Sequence, residues 1–201
     1  MTPRGAFIAF EGIDGCGKTT QARRVADARD ARCTFEPGDT ALGAALRAVV
    51  LDADMGIDAI AELLVMAADR AQHVAEVIEP ALVAGRDVVC DRFSGSTLAY
   101  QGHGRRLHLD SIRRVLEVAT GGLEPDVTIL LDCPVGIARA RRADRPTESD
   151  RFEIDDSFSE RVRAGFLELA SATASWRVVD AAAPEASVAR AVDDCIAAAI
   201  R

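Results

Sequence analysis

The sequence is almost without lysine. Of its 24 basic residues one is lysine, Lys18, and the rest are arginine. It also lacks long apolar runs, and no stretch reaches the roughly 18 to 20 residues that a membrane span needs. The opening Met1–Ile8 carries one basic residue and is too short in apolar length for a secretory leader, so a cytoplasmic protein is expected. Five cysteines, Cys16, Cys33, Cys90, Cys133 and Cys195, show no CxxC spacing. They read as reduced thiols of a cytosolic chain rather than a disulfide framework. His73, His103 and His108 have no metal-ligand spacing with one another or with a cysteine, and read as ordinary polar residues. Internal repeats and low-complexity linkers are missing too. The formal charge of −8 excludes a nucleic-acid surface, which needs a basic face. Acidic small molecules stay open, because a few local arginines outweigh a mean charge.

What is present is a chain of 201 residues, 49% of them hydrophobic, enough for one well-buried domain. Short apolar bursts alternate with longer helical patterns, the layout of a parallel sheet with crossover helices. Ala6–Phe10, Asp87–Cys90, Val127–Leu131 and Arg177–Val179 read as buried strands, with a weaker one at Cys33–Phe35 that ends in the turn Glu36-Pro37-Gly38. Helical periodicity covers Thr19–Ala28, Ala41–Leu51, Ile57–Val83, Leu109–Thr120, Val135–Arg142, Ser157–Thr173 and Pro184–Ile200. Arg142–Ile154 is charged, carries Pro146 and has no apolar face, so by composition alone it is a solvated loop.

Gly12-Ile13-Asp14-Gly15-Cys16-Gly17-Lys18-Thr19 satisfies GxxxxGK[ST] between a strand and a helix, the context the motif requires. Glycines let successive backbone N–H groups wrap a phosphate, and the helix N-terminus adds its dipole. Lys18 reaches β and γ oxygens, the Thr19 hydroxyl suits Mg²⁺, and Thr20 completes the ATP-binding run. A compact ammonium fits between phosphate oxygens where a planar guanidinium does not, which accounts for the one lysine retained. Cys16, beside Lys18 and a helix N-terminus, is expected to favour thiolate; a small filler is the plainer reading.

Val88-Val89-Cys90-Asp91-Arg92 puts an acid and a base at the carboxyl end of a strand, where ligands bind in open parallel sheets. Asp91 would orient Mg²⁺ or its waters, and Arg92 would hold an anionic second substrate. A strand-end salt bridge is the alternative.

Taken in order, these residues resemble the bacterial-type thymidylate kinases over nearly the whole chain. Phe10-Glu11-Gly12-Ile13-Asp14-Gly15 with Gly17-Lys18-Thr19-Thr20-Gln21 is similar to the family's phosphate loop, and Glu36-Pro37-Gly38 with Thr40 to its acceptor-site turn. Asp69-Arg70, Asp91-Arg92-Phe93, Ser96-Thr97 and Ala99-Tyr100-Gln101-Gly102 resemble its acceptor-binding segments. Pro125-Asp126-Val127-Thr128 leading to Leu131-Asp132 is similar to its fourth strand, and Asp150-Arg151-Phe152-Glu153 to its lid.

The resemblance implies a five-stranded parallel sheet wrapped by helices, the P-loop nucleoside-monophosphate kinase architecture. It implies one domain, 1–201, with a mobile lid at about 142–154, and a homodimer. The activity it implies is phosphorylation of dTMP by ATP with Mg²⁺ held at Thr19 and Asp91. Asp14, Glu36, Pro37, Met66, Arg70, Arg92, Ser96, Tyr100 and Gln101 would then bind the acceptor. Family members with an Arg in the phosphate loop have it where Gly15 stands here, so Arg141, Arg142, Arg145 and Arg151 of the lid would supply that charge, in catalysis alongside Lys18, Asp91 and Arg92. Met66 occupies a position that is usually aromatic and stacks on thymine, and Phe35 one that is often Arg. Another nucleoside-monophosphate or deoxynucleoside kinase of the same fold, or a nucleotide-binding regulatory module without turnover, stays open.

Overall fold

The computed structural model describes residues 3–52, 54–143 and 155–200. Among them are five strands: β1 (Phe7–Glu11), β2 (Arg32–Phe35), β3 (Val88–Asp91), β4 (Val127–Asp132) and β5 (Trp176–Asp180). They pair in the order β2-β3-β1-β4-β5, every pair parallel. β1 and β4 are almost wholly apolar and buried, as strands covered by helices on both faces must be. The register sets Phe10 opposite Asp91 and Glu11 opposite Leu130, so the ends of β1 and β3 open at one edge of the sheet. β1 lies where the order turns from β3 on one side to β4 on the other, the place where open α/β sheets form their crevice.

The covering helices are α1 (Lys18–Arg29), α2 (Ala41–Leu51), α3 (Ala59–His73), α4 (Glu79–Val83), α5 (Ser94–Thr97), α6 (Leu109–Thr120), α7 (Val135–Ala143), α8 (Asp156–Ala172) and α9 (Glu185–Ala199). Side-chain caps fix several starts: Thr40 Oγ1 accepts from Gly43 N, Asp58 from Ile60 N, and Asp155 from Phe158 N. No helix of the described residues is long and apolar enough to cross a membrane.

Two expectations change. The helix expected over Ile57–Val83 is three segments: α3, a π-helical stretch at Val74–Ile78, and α4. Pro80 is the reason, since it has no N–H and its ring collides with the carbonyl four residues back in an α-helix. A wider turn ahead of it accommodates the ring. The segment after Asp91 had no helical signal, yet Ser94–Thr97 is α-helical and continues as a π-helix through Leu98–Gly104. Its Ser, Thr and Gly content hides the helix; the tie that forms it comes from β1. Glu11 Oε1 accepts from the backbone N–H of Phe93 and of Ser96, and Oε2 from Ser96 Oγ.

Candidate active site

The loop Gly12–Gly17 leaves β1 with glycine φ values of 139° at Gly12, 87° at Gly15 and 99° at Gly17, conformations open to glycine at little cost. Room matters as much as φ at Gly15, where an added Cβ would collide with Ala138 O and approach Arg142 Cγ to 3.0 Å. Lys18 at the head of α1 is 5% exposed. Its Nζ donates to Ile13 O at 2.9 Å and lies 3.9 Å from Asp14.

Opposite this loop stands Arg92, the residue after β3, with a left-handed φ of 74°. A non-glycine residue held there signals a constrained position, and such positions cluster at sites of function. The guanidinium is fixed on several sides. It donates to Gly12 O at 3.2 Å, to Ser96 Oγ at 2.9 Å, to Tyr100 OH at 3.3 Å and to Asp14 Oδ1, and it stacks over the Tyr100 ring. Tyr100 OH donates to Asp14 Oδ2 at 3.0 Å. Burial pushes the Asp14 carboxyl up, but Arg92 and Lys18 outweigh it and hold it well below the usual carboxylate range.

Three cavities meet at the loop. The first, about 330 Å³, runs from Lys18, Thr19 and Thr20 to Glu36 and Arg92. The second, about 90 Å³, is walled by Pro37, Met66, Ser96, Tyr100 and Gln101. Asp14, Glu36, Arg47 and Arg92 border both. The third, about 280 Å³, lies on the far side of Gly15, Cys16 and Gly17, against Arg141, Ala183 and Val188.

In the second cavity Gln101 has a fixed orientation. Its Nε2 donates to Glu62 Oε1 at 2.8 Å, and Arg105 clamps the same carboxylate at 3.2 and 3.0 Å. A carboxylate only accepts, so the amide nitrogen must face it. Gln101 Oε1 is then left without a hydrogen-bond partner among the described residues.

Thr19 Oγ1 donates to Asp91 Oδ2 at 2.5 Å, and Asp91 Oδ1 is buried without a partner among the described residues. A hydroxyl and a carboxylate with a spare oxygen are the hard oxygen donors that suit Mg²⁺.

The structure thus gathers Asp14, Gly15, Gly17, Lys18, Thr19, Thr20, Asp91 and Arg92 around the first cavity, and Pro37, Met66, Ser96, Tyr100 and Gln101 around the second, while Gly12 and Ile13 touch this group through their carbonyls, Gly12 O to Arg92 and Ile13 O to Lys18. Other expectations meet a different placement. Arg70 is fully buried beneath the cavities rather than lining them: it donates to Glu36 Oε2 at 2.8 Å, to Thr97 Oγ1 at 2.9 Å and to Phe93 O at 2.9 Å. The thiolate expected at Cys16 is corrected, because burial pushes the thiol up despite Lys18 and Arg92 beside it. Arg141 sits in α7, ahead of 144–154, and donates to Ala181 O at 2.8 Å. Arg142 lies beside Gly15. Arg145, Arg151 and the segment 144–154 fall outside the described residues.

Four further residues, none of them among the expected site residues, belong here. Arg47 borders two cavities, and the signal was available: it is the lone charge in the apolar α2. Glu11 ends a wholly apolar strand, also a visible oddity. Glu62 carries no comparable mark. His73, read as an ordinary polar residue, is fully buried and bonds to Glu36 and Thr34.

Comparison with known proteins agrees with this layout. A family model described as thymidylate kinase matches residues 10–192. The thymidylate kinase of Geobacter sulfurreducens is 51% identical over 178 residues, covering 83% of this chain and 84% of the relative. That of Desulfovibrio desulfuricans is 46% identical over 209 residues, covering 97% and 96%. The crystal structure of thymidylate kinase from Ehrlichia chaffeensis superposes with a TM-score of 0.77 at 31% identity, covering 96% of this chain and 99% of that one.

Proposed function

The chain belongs to the thymidylate kinase family, and from that premise we propose that it transfers the γ-phosphoryl group of ATP to dTMP, giving dTDP and ADP. The observation that carries this reading is continuity. Asp14, Glu36, Arg47 and Arg92 border the cavity beside the phosphate loop and the smaller one beyond it, so donor and acceptor would meet around one guanidinium.

In the transfer an oxygen of the acceptor phosphate bonds to Pγ while the bond from Pγ to the leaving ADP oxygen breaks. A monophosphate is largely ionised at neutral pH, so no side chain has to take a proton. Positioning and charge therefore do most of the work. Lys18 would leave Ile13 O for the β and γ oxygens. Arg92, pre-set by Asp14, Ser96 and Tyr100, would fork onto the acceptor phosphate. Thr19 and Asp91 would hold Mg²⁺, whose charge, when bound, would offset the negative charge of the phosphates. Gln101 Oε1 would accept the imide N–H of a thymine-type base, with Met66 and Tyr100 beside it. The third cavity, between the phosphate loop and α9, is the place for adenosine.

The same proposal includes one domain of 1–201 with a lid at about 142–154. Arg142 would bring charge to the phosphate loop from α7, and Arg145 and Arg151 enter from the sequence alone. A homodimer is supported by Ile60 and Leu64, 50% and 54% exposed on α3, which leave an apolar stripe for a second copy. The acidic surface and the lack of a membrane-crossing helix among the described residues suit a cytoplasmic enzyme of small nucleotides.

A coupled assay with ATP and a panel of dTMP, dUMP, UMP, CMP and GMP tests the reading. We expect dTMP to give the highest kcat/KM. Preference for another nucleotide would replace dTMP within the same chemistry, and no turnover with any of them would reject the kinase.

A further inference from the structure

Beneath the acceptor side lies a charged cluster that reaches the cavities through Glu36. The turn Glu36-Pro37-Gly38-Asp39 is suspended from one stretch of α3. Asp69 Oδ1 accepts from Gly38 N at 3.0 Å, Arg70 holds Glu36 Oε2, and His73 Nδ1 lies 2.8 Å from Glu36 Oε1. On its other side His73 Nε2 lies 2.5 Å from Thr34 Oγ1, and Thr34 Oγ1 donates to Asp39 Oδ2 at 2.5 Å. His73 thus reaches both ends of the turn, one directly and one through a hydroxyl.

The hydrogen inventory of this chain is constrained. A threonine hydroxyl has one proton. Asp39 Oδ2 already accepts from Arg32 at 2.8 Å, so it faces Thr34 as an acceptor and takes the hydroxyl proton. Thr34 Oγ1 must then accept from the imidazole, which requires a proton on Nε2. Glu36, with Arg70 on its other oxygen, faces Nδ1 as a carboxylate, which requires a proton on Nδ1. Both ring nitrogens donate. We propose that His73 is held as an imidazolium and, with Arg70, fixes Glu36 and its turn against the acceptor pocket, acting as a positioning residue for the second substrate. That role for the turn rests on the acceptor site proposed above.

The charges around His73 support a cation. Glu36 and Asp39 face it as anions, while Arg70 pairs with the first and Arg32 with the second. Asp69 is close by, its carboxyl pushed up to about 6 by burial and by Glu36. Glu36, His73 and Cys90 are near enough to suggest a metal site. Each is otherwise engaged: Arg70 and His73 occupy the two oxygens of Glu36, and Cys90 Sγ donates to Arg92 O at 2.9 Å. Arg70 against the same carboxylate also opposes a metal cation.

Two measurements on the full chain test this, and the first needs no substrate. With three histidines in the sequence, long-range ¹H–¹⁵N correlation of histidine-labelled protein, assigned with His73→Asn, reads both ring nitrogens. We expect both ring nitrogens of His73 to carry protons at pH 7. A single tautomer with one unprotonated nitrogen at pH 7 overturns the proposal, whether or not dTMP is the substrate. The second measurement is a KM and kcat split in Thr34→Val, which removes the Nε2 acceptor while keeping the shape. We expect KM for the acceptor to rise about tenfold, the scale of one charged hydrogen bond, with KM for ATP within twofold. Equal rises for both substrates, or no change in either, overturn the positioning role. Loss of dTMP turnover in the wild type would reject the proposed function and leave the nitrogen result standing.

Discussion

The proposed donor and acceptor sides of this site are built in contrasting ways. The phosphate loop is one run of consecutive residues, Gly12 to Thr19, which presents backbone N–H groups and a single side-chain cation. The wall of the second cavity, the proposed acceptor side, draws Glu36 from the end of β2, Met66 from α3, Arg92 from the end of β3, and Tyr100 and Gln101 from the π-helical segment after α5. Phosphates are alike in every nucleotide, so a short loop with fixed φ values serves all of them. A particular base and sugar need side chains aimed from several directions, and those need supports of their own. Here the supports are polar side chains, most of them buried: Arg70 and His73 under Glu36, Arg105 and Glu62 behind Gln101, Glu11 behind Ser96.

The contrast is open to test from either side. The largest effect is expected at Lys18. Lys18→Met should cost at least a hundredfold in kcat, about 3 kcal/mol of transition-state stabilisation, with the thermal midpoint little changed. Lys18→Arg should also fail, since a planar fork does not replace a compact ammonium. If either keeps more than a tenth of the activity, the donor half does not depend on its cation.

Arg92→Ala comes next. It should lower kcat/KM for the acceptor by about a hundredfold, the scale of a lost bidentate charged contact, and leave ATP affinity nearly intact. Steady-state kinetics with each substrate varied would show it, and equal losses on both sides would erase the division between donor and acceptor.

Asp69 offers a smaller effect that depends on pH. Its carboxyl is pushed up to about 6 from the ordinary 3.8, first by burial and then by Glu36. A raised acid favours the folded state most below its unfolded pKa, and that contribution is lost as pH rises through the folded value. Wild-type stability should therefore carry a declining component between about pH 4 and 6 that is missing in Asp69→Asn. Denaturant midpoints of both proteins across that window would reveal it, and parallel profiles would count against a raised Asp69.

The smallest effect is at Met66. A thioether covers a pyrimidine but lacks the flat face for offset stacking, worth on the order of 1 kcal/mol, so Met66→Phe should lower the acceptor KM about fivefold. An unchanged KM would mean that the base does not lie against this residue.

Much of this molecule was legible before any coordinates. The strands could be read because buried parallel strands are runs of apolar residues, and α2 and α6 matched their expected spans. Helix α5 and its π continuation could not be read, because Ser-Gly-Ser-Thr carries no periodicity and the helix hangs on Glu11, more than eighty residues away in sequence. Arg70 illustrates a second kind of gap. Its position on α3 follows from helical spacing, but the neighbours that take its donors, Glu36 after β2 and the Phe93 carbonyl and Thr97 at the two ends of α5, come from two other segments.

The sequence by itself determined the alternation of strands and helices, the phosphate loop, and Lys18 as its cation. These are local matters: periodicity, φ preference and one compact charge act over a few residues. Tertiary structure alone decided which way the polar side chains face. It turned Gln101 Oε1 away from Glu62, set Arg92 between Asp14 and Tyr100, buried Cys16, and placed His73 between Glu36 and Thr34. The physical reason is that a buried donor or acceptor must find a partner, and those partners stand where the chain returns from far along the sequence.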